Sequence, residues 1–308
     1  MTILFIFLDG VGLGLDDDRV NPFASEVMPN LQNILGGCKL VADTGAIFNE
    51  KASLLSLDAC LGVDGLPQSA TGQAVLLTGK NVPADIGYHY GPKPDKATAA
   101  HLKSGGIFGT LVEAGRTAAL MNAYPPVYFD GIHTGRRIFS SIPLAVSNAG
   151  LPLFTIDDLR YGKAISADFT AHSWAERLGV TDIPMMSFAE AGAYLGDISR
   201  QFDFSFFEYW QSDYVGHGQD MGDALALLCD LDMVIGSLVD RWNDKDMILI
   251  TSDHGNLEDL STRRHTVNPV PLVLIGNEKM RRHFIGIRDL SEITPAILRA
   301  LDVQSIKM

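Results

Sequence analysis

Five short apolar runs constrain this 308-residue chain more than any other feature: Ile3–Leu8, Thr117–Met121, Phe204–Trp210, Met247–Thr251 and Val270–Ile275. They are continuous rather than alternating, as strands buried on both faces of a sheet are. They are also too short to span a bilayer, which takes roughly 18 or more apolar residues. Helical patterns lie between them. Ile107–Ala114 stops at Gly115, and Asp223–Trp242 carries an apolar stripe through Leu225, Leu228, Leu231, Ile235, Leu238 and Val239. Ser291–Leu301 reads as a last helix, with Ser291 as its cap and Pro295 early in it. Strands alternating with helices predict an α/β fold with a doubly wound, mainly parallel sheet.

The stretch 125–200 differs. It is rich in Gly, Pro and Ser, holds Arg136, Arg137, Arg160, Lys163 and Arg177, and shows only short helical patterns at Ser173–Leu178 and Phe188–Tyr194. It is expected to form a small inserted cap, with 1–124 and 201–308 making the core. A set of long surface loops is the plainer alternative.

The residues just past the strands carry the chemistry. Ile3–Leu8 runs into Asp9-Gly10, Phe204–Trp210 into Asp213-Tyr-Val-Gly-His217, and Met247–Thr251 into Asp253-His254-Gly255-Asn256. Ligands gather at the carboxyl ends of strands in open α/β sheets, so separate segments would deliver carboxylates and imidazoles to one edge. Such a cluster is unfavourable unless protons or cations neutralise it, and divalent metals answer that need. Taken singly, Asp9 could be an Asp-Gly turn residue and Asp213/His217 a chance surface pair. Gly10-Val-Gly12-Leu-Gly14 fails as a dinucleotide fingerprint, because the third glycine would fall at Leu15.

A further segment, Leu66-Pro-Gln-Ser69-Ala-Thr71-Gly-Gln-Ala-Val-Leu-Leu-Thr-Gly79, is a small-residue turn feeding a short apolar helix. Ser69 or Thr71 would sit at the helix N-terminus, where free N–H groups and the dipole favour an anion. An ordinary N-cap serine is the alternative. Beside a metal cluster the same position suits a nucleophile activated by coordination.

In order along the chain, Asp9-Gly10, Ser69 with Gly79, Asp213-x-x-x-His217, Asp253-His254-Gly255-Asn256 and His265-Thr-Val-Asn-Pro-Val-Pro271 resemble the alkaline phosphatase superfamily of two-metal enzymes. Within it the set is most similar to the cofactor-independent phosphoglycerate mutases and the type I phosphodiesterases. The resemblance implies two divalent ions, Zn²⁺ or Mn²⁺. Asp9, Ser69, Asp253 and His254 would hold one, with Ser69 also the nucleophile, and Asp213, His217 and His265 would hold the other. It implies phosphoryl transfer by way of a phosphoserine: hydrolysis of a small phosphate ester, or a phosphomutase reaction, with sulfate and phosphonate esters also open as substrates. A catalytically silent metal-binding module is the rival from another class. The chain departs from the mutases after the serine, with Ala70-Thr71-Gly72-Gln73 where they carry Glu-Val-Gly-His, and it is short for their large inserted domain. Thr71 is a second candidate nucleophile, since the phosphodiesterases use threonine there.

Other polar residues are expected near the substrate with less to fix them. Lys80, Tyr88-His89-Tyr90, Arg136 and Arg137 are candidates, each with a solvated-surface alternative. His101, His133, His172 and His283 show no ligand spacing.

Composition limits the partners. The formal charge of −13 argues against a nucleic-acid surface. It does not argue against a small phosphate ester, because two divalent ions would outweigh the three aspartates by one unit. Cys38, Cys60 and Cys229 are widely spaced, which fits neither a disulfide framework nor a thiolate metal site. The opening apolar run lacks a basic flank and ends after six residues. A soluble, cytoplasmic protein with no membrane partner is therefore expected; the oligomeric state is left open.

Overall fold

Alternate residues of the strands face opposite ways into two apolar cores, so the sheet must be covered on both sides. In the computed structural model, which describes residues 1–303, Ile3, Phe5 and Phe7 join one core while Leu4, Ile6 and Leu8 join the other. Burial of each such side chain contributes about 1.5–3 kcal/mol, which is why Ile3–Leu8 is apolar without a break.

The strands are β1 (Ile3–Leu8), β2 (Ile47–Phe48), β3 (Ala52–Leu57), β4 (Ala118–Leu120), β5 (Ala123–Tyr124), β6 (Phe154–Thr155), β7 (Phe204–Tyr209), β8 (Met247–Thr251) and β9 (Val270–Gly276). Seven make one sheet in the order β2-β3-β9-β8-β1-β7-β4. The ladders β1/β7, β1/β8 and β4/β7 are parallel. Those of β9 with β8 and β3, and of β2 with β3, are antiparallel. Helices Ser69–Thr78, Gly106–Glu113, Ser141–Asn148 and Ile293–Ala300 cover one face. Pro29–Ile34, Phe188–Ser199 and Met221–Arg241 cover the other. This is the expected α/β architecture. Among the described residues no helix is long and apolar enough to cross a membrane.

Two local features differ from the expectation. Ser291 does not cap the last helix. It lies in a 3-10 turn, Leu290–Glu292, capped by the Asp289 carboxylate, and the α-helix begins at Ile293. Within 125–200, helices Ser141–Asn148 and Phe188–Ser199 pack onto the two faces of the main sheet. The two-stranded β5/β6 pair stands apart from that sheet. Near it lies a separate small apolar cluster containing Ala123, Leu159, Trp174 and Ile183.

The sheet order sets up the site. β8, β1 and β7 are adjacent and parallel, so Asp253-His254, Asp9 and the Gln211–Gly218 helix all emerge at one edge. β9 runs the opposite way, so the residues that precede it arrive at that same edge, His265 among them.

Candidate metal centre

Asp9 comes directly after β1, its N–H donating to the Tyr209 carbonyl at 3.0 Å. The turn beyond it demands glycine. Gly10 has φ +69°, and a Cβ there would come within 2.6 Å of Asp213 Oδ1. Ser69 is the first residue of its helix. The N-cap is Gln68, whose side chain makes no capping bond, so the Ser69 hydroxyl is not spent as a cap. It lies 3.0 Å from His254 Nε2 instead. The helix reaches this depth because Gly72 lies against β8's end, where a Cβ would meet that of Asp253 at 2.8 Å.

His254 Nε2 is also 3.4 Å from Asp9 Oδ1 and 3.7 Å from Asp253 Oδ2. Asp213 and His217 sit one turn apart on the Gln211–Gly218 helix, with His217 Nε2 3.3 Å from Asp213 Oδ2. His265 Nε2 is 3.7 Å from Asp213 Oδ1. His217 and His265 both have Nδ1 2.7 Å from a backbone carbonyl, of Arg263 and Pro67 respectively. Donation from Nδ1–H leaves each Nε2 lone pair facing the cluster, the arrangement metal-binding imidazoles adopt. The donor atoms of Asp213, His217 and His265 lie within 4.8 Å of one another, as do those of Asp9, Asp213 and His254.

The electrostatics call for cations. Burial pushes the Asp9 and Asp253 carboxyls above the usual carboxylate range, Asp253 well above it. Burial also works against charge on His254, but Asp253, Asp9 and Asp213 outweigh it and raise that ring to about 10. Burial, then the charge of His254, pulls His265 down to about 4. Asp9 Oδ1 and Asp253 Oδ2 are buried with no hydrogen-bond partner among the described residues. Carboxylate oxygens cut off from water and donors are costly, and a mixed carboxylate–imidazole set facing inward fits divalent metal ions.

All seven residues expected to ligate metal come together, with two supports to which the sequence reading gave no role. Asn256 Nδ2 donates to Asp213 Oδ1 at 2.7 Å. Glu258 accepts from the N–H groups of Gly12 and Asn256, from the Thr266 hydroxyl and from Asn268 Nδ2, tying the β1 turn to the 253–268 segment. Its spacing within Asp253-His-Gly-Asn-Leu-Glu258 was the available signal.

A cleft of about 660 Å³ opens from Asp9, Ser69, Asp213 and His217 toward Lys93, Tyr128, Arg137, Trp174, Arg177 and Glu208. Glu208, an isolated acid in the apolar strand β7, has its carboxyl raised to about 8 by burial and then by Asp9. Of the residues expected to meet substrate, only Arg137 lines this cleft. Thr71 faces away: its hydroxyl bonds the Gln68 carbonyl at 3.1 Å and accepts from the Tyr90 N–H at 3.1 Å, so it does not present an oxygen to the cluster. Lys80 lies beyond the far end of the ten-residue helix, beside Thr78 and His101, roughly 15 Å of helix from Ser69. Arg136 is exposed and outside the cleft. Tyr88 donates to Asp95, and neither it, His89 nor Tyr90 lines the cleft.

Residues 177–305 match the family described as Metalloenzyme superfamily. Shorter stretches resemble 2,3-bisphosphoglycerate-independent phosphoglycerate mutases. That of Clostridioides difficile is 29% identical over 112 residues, 34% of this chain and 22% of the mutase. That of Prochlorococcus marinus is 35% identical over 109 residues, 31% of this chain and 20% of the mutase. The matches thus span only about a fifth of those relatives' length. Similar folds occur in the alkaline phosphatase of the Antarctic bacterium TAB5 (TM-score 0.58, 14% identity, 99% of this chain and 98% of that one). The PH0037 protein of Pyrococcus horikoshii is also similar (TM-score 0.58, 12% identity, 100% and 99%).

Proposed function

We propose that the chain is a metalloenzyme of the alkaline phosphatase superfamily that hydrolyses a small phosphate ester through a phosphoserine at Ser69. The observation that carries this is the Ser69 hydroxyl, free of any capping role at a helix N-terminus and 3.0 Å from His254 Nε2 inside the carboxylate–imidazole cluster. Asp9, Ser69, Asp253 and His254 would hold one ion and Asp213, His217 and His265 the other, Zn²⁺ or Mn²⁺ in each case. Bound there, the ions would supply Lewis acidity toward the phosphoryl group and lower the pKa of the Ser69 hydroxyl.

This chain's own groups do the rest. The first turn of the Ser69–Thr78 helix favours the negative charge of the phosphoryl group. Hydrogen bonds from Nδ1 to the Arg263 and Pro67 carbonyls keep His217 and His265 in a single tautomer. Asn256 fixes the Asp213 carboxylate. Residues of 125–200, proposed as the cap, wall the cleft that would receive the rest of the ester. A cytoplasmic setting is proposed with this, consistent with three free cysteines.

Sequence similarity to the mutases favours a second reading, in which the phosphoryl group returns from Ser69 to another hydroxyl of the same substrate. Metal-loaded protein incubated with an aryl phosphate and, separately, with 3-phosphoglycerate separates the two. Free phosphate is expected from hydrolysis and a phosphoglycerate isomer from transfer. Sulfate and phosphonate esters are run alongside. Turnover of none of them, with metal bound, would leave the silent binding module as the better account.

A further inference from the structure

The cleft carries a group of cations that the metal centre does not use. Lys93, Arg137 and Arg177 all line it, in a chain whose formal charge is −13. Arg116, Arg160, Arg200 and Arg241 each meet an aspartate. Lys93, Arg137 and Arg177 make no ion pair among the described residues. Lys93 Nζ has one bond, to the Ile138 carbonyl at 2.8 Å, and so keeps further donors unengaged. The Arg137 guanidinium rests 5.2 Å above the Tyr128 ring. Burial, and after it the charge of Arg137, holds Lys93 below its usual value.

Tyr128 is the second observation. It is 9% exposed, and its hydroxyl is buried without a hydrogen-bond partner. A buried hydroxyl left unpaired costs free energy. The neighbouring carboxyls leave the group open: Glu208 accepts from Tyr124, and Asp168 is occupied by the N–H groups of Ala171 and Ser173.

We propose that Lys93, Arg137 and Tyr128 form an anion subsite that binds a second acidic group, carboxylate or phosphoryl, at the far end of the phosphate ester held at the metal centre. The proposal rests on the phosphoryl-transfer reading of Ser69 and adds to it a substrate class: phosphate esters that carry a second anion. Two cationic donors and a hydroxyl lining one cleft would offer an oxyanion charge-assisted hydrogen bonds. Arg177 lines the same cleft and would add to the field there.

The test is calorimetric titration of Mn²⁺-loaded protein with two matched series, alkylphosphonates and ω-phosphonocarboxylates of increasing chain length. At the length that spans the cleft, the carboxylate compound is expected to bind about tenfold or more tightly than its alkyl partner. Arg137→Met, Lys93→Met and Tyr128→Phe should each bring that ratio toward one. Should a methionine variant fail to fold, Tyr128→Phe, which loses a single oxygen, decides alone. Equal binding of both series at every length, or an unchanged ratio in the variants, would overturn the subsite while leaving the phosphoryl site standing. Failure of both series to bind would overturn the phosphoryl reading, and the subsite with it.

Discussion

The rings of His254 and His265 lie face to face, their centroids 3.7 Å apart and their planes 12° from parallel. Two imidazolium ions cannot share that spacing. In the metal-free protein His254, beside Asp253, Asp9 and Asp213, takes the proton, and His265, buried against it, stays neutral. A cation at the cluster would take the place of that proton.

Metal loading should therefore release protons and tighten as pH rises. Titrating Mn²⁺ or Zn²⁺ into chelator-treated protein in buffers of different ionisation enthalpy would measure both. Saturation at about one hundred times Kd should stabilise the fold by roughly 3 kcal/mol, read as a rise in Tm. Uptake of fewer than two ions per chain would contradict the two-ion assignment.

Ser69→Ala should abolish turnover, by on the order of a thousandfold or more, while the protein still binds metal. Thr71→Ala should leave turnover within a few-fold of the parent and cost about 1–2 kcal/mol of stability, because its hydroxyl serves Gln68 and Tyr90. Steady-state kinetics and denaturant melts on the two variants check both, and the reverse pattern would make Thr71 the nucleophile.

Gly72→Ala inserts a methyl group within 2.9 Å of the Asp253 carbonyl oxygen as well as close to its Cβ. The Ser69 helix must then lift away from the end of β8. A loss of about 1–3 kcal/mol is expected, with metal affinity falling too, since Ser69 and Asp253 are driven apart. Urea melts and metal titration of the same sample read the two effects together.

Glu208 titrates at about 8 in the fold, against an ordinary value of 4.5. Its folded pKa is raised, so its contribution to stability is fully present below about 4.5 and is lost as pH rises through about 8. In metal-free protein, Glu208→Gln should remove that slope and gain on the parent by up to a few kcal/mol between those limits. Denaturant melts of both proteins across pH 5 to 9 would show it, and parallel pH profiles would refute it.

Much of this was legible in the chain. Continuous apolar runs such as Ile3–Leu8 and Met247–Thr251 reappear as strands with the same bounds, because burial on both faces leaves no polar position to blur their ends. The acids and imidazoles just past them were readable for the same reason: a polar residue directly after a buried strand must go where strands end. His265 was less local. It belongs to the centre because β9 runs antiparallel to β8, which brings the residues before it to the shared edge.

The sequence by itself determined the layered α/β core and the segments that carry the candidate ligands, since strand length, continuity and the residue that ends each run are local properties. Only the tertiary structure decided which polar side chains look into the cleft. Thr71 shares a helix with Ser69, yet its hydroxyl is claimed by the Tyr90 backbone, and Lys80 lies past that helix's opposite end. Lys93, Tyr128 and Arg137 are separated along the chain and line the same cleft. The physical reason is that a cleft is lined by whatever the sheet order and the packing of distant segments bring together, and spacing along the chain carries no record of that.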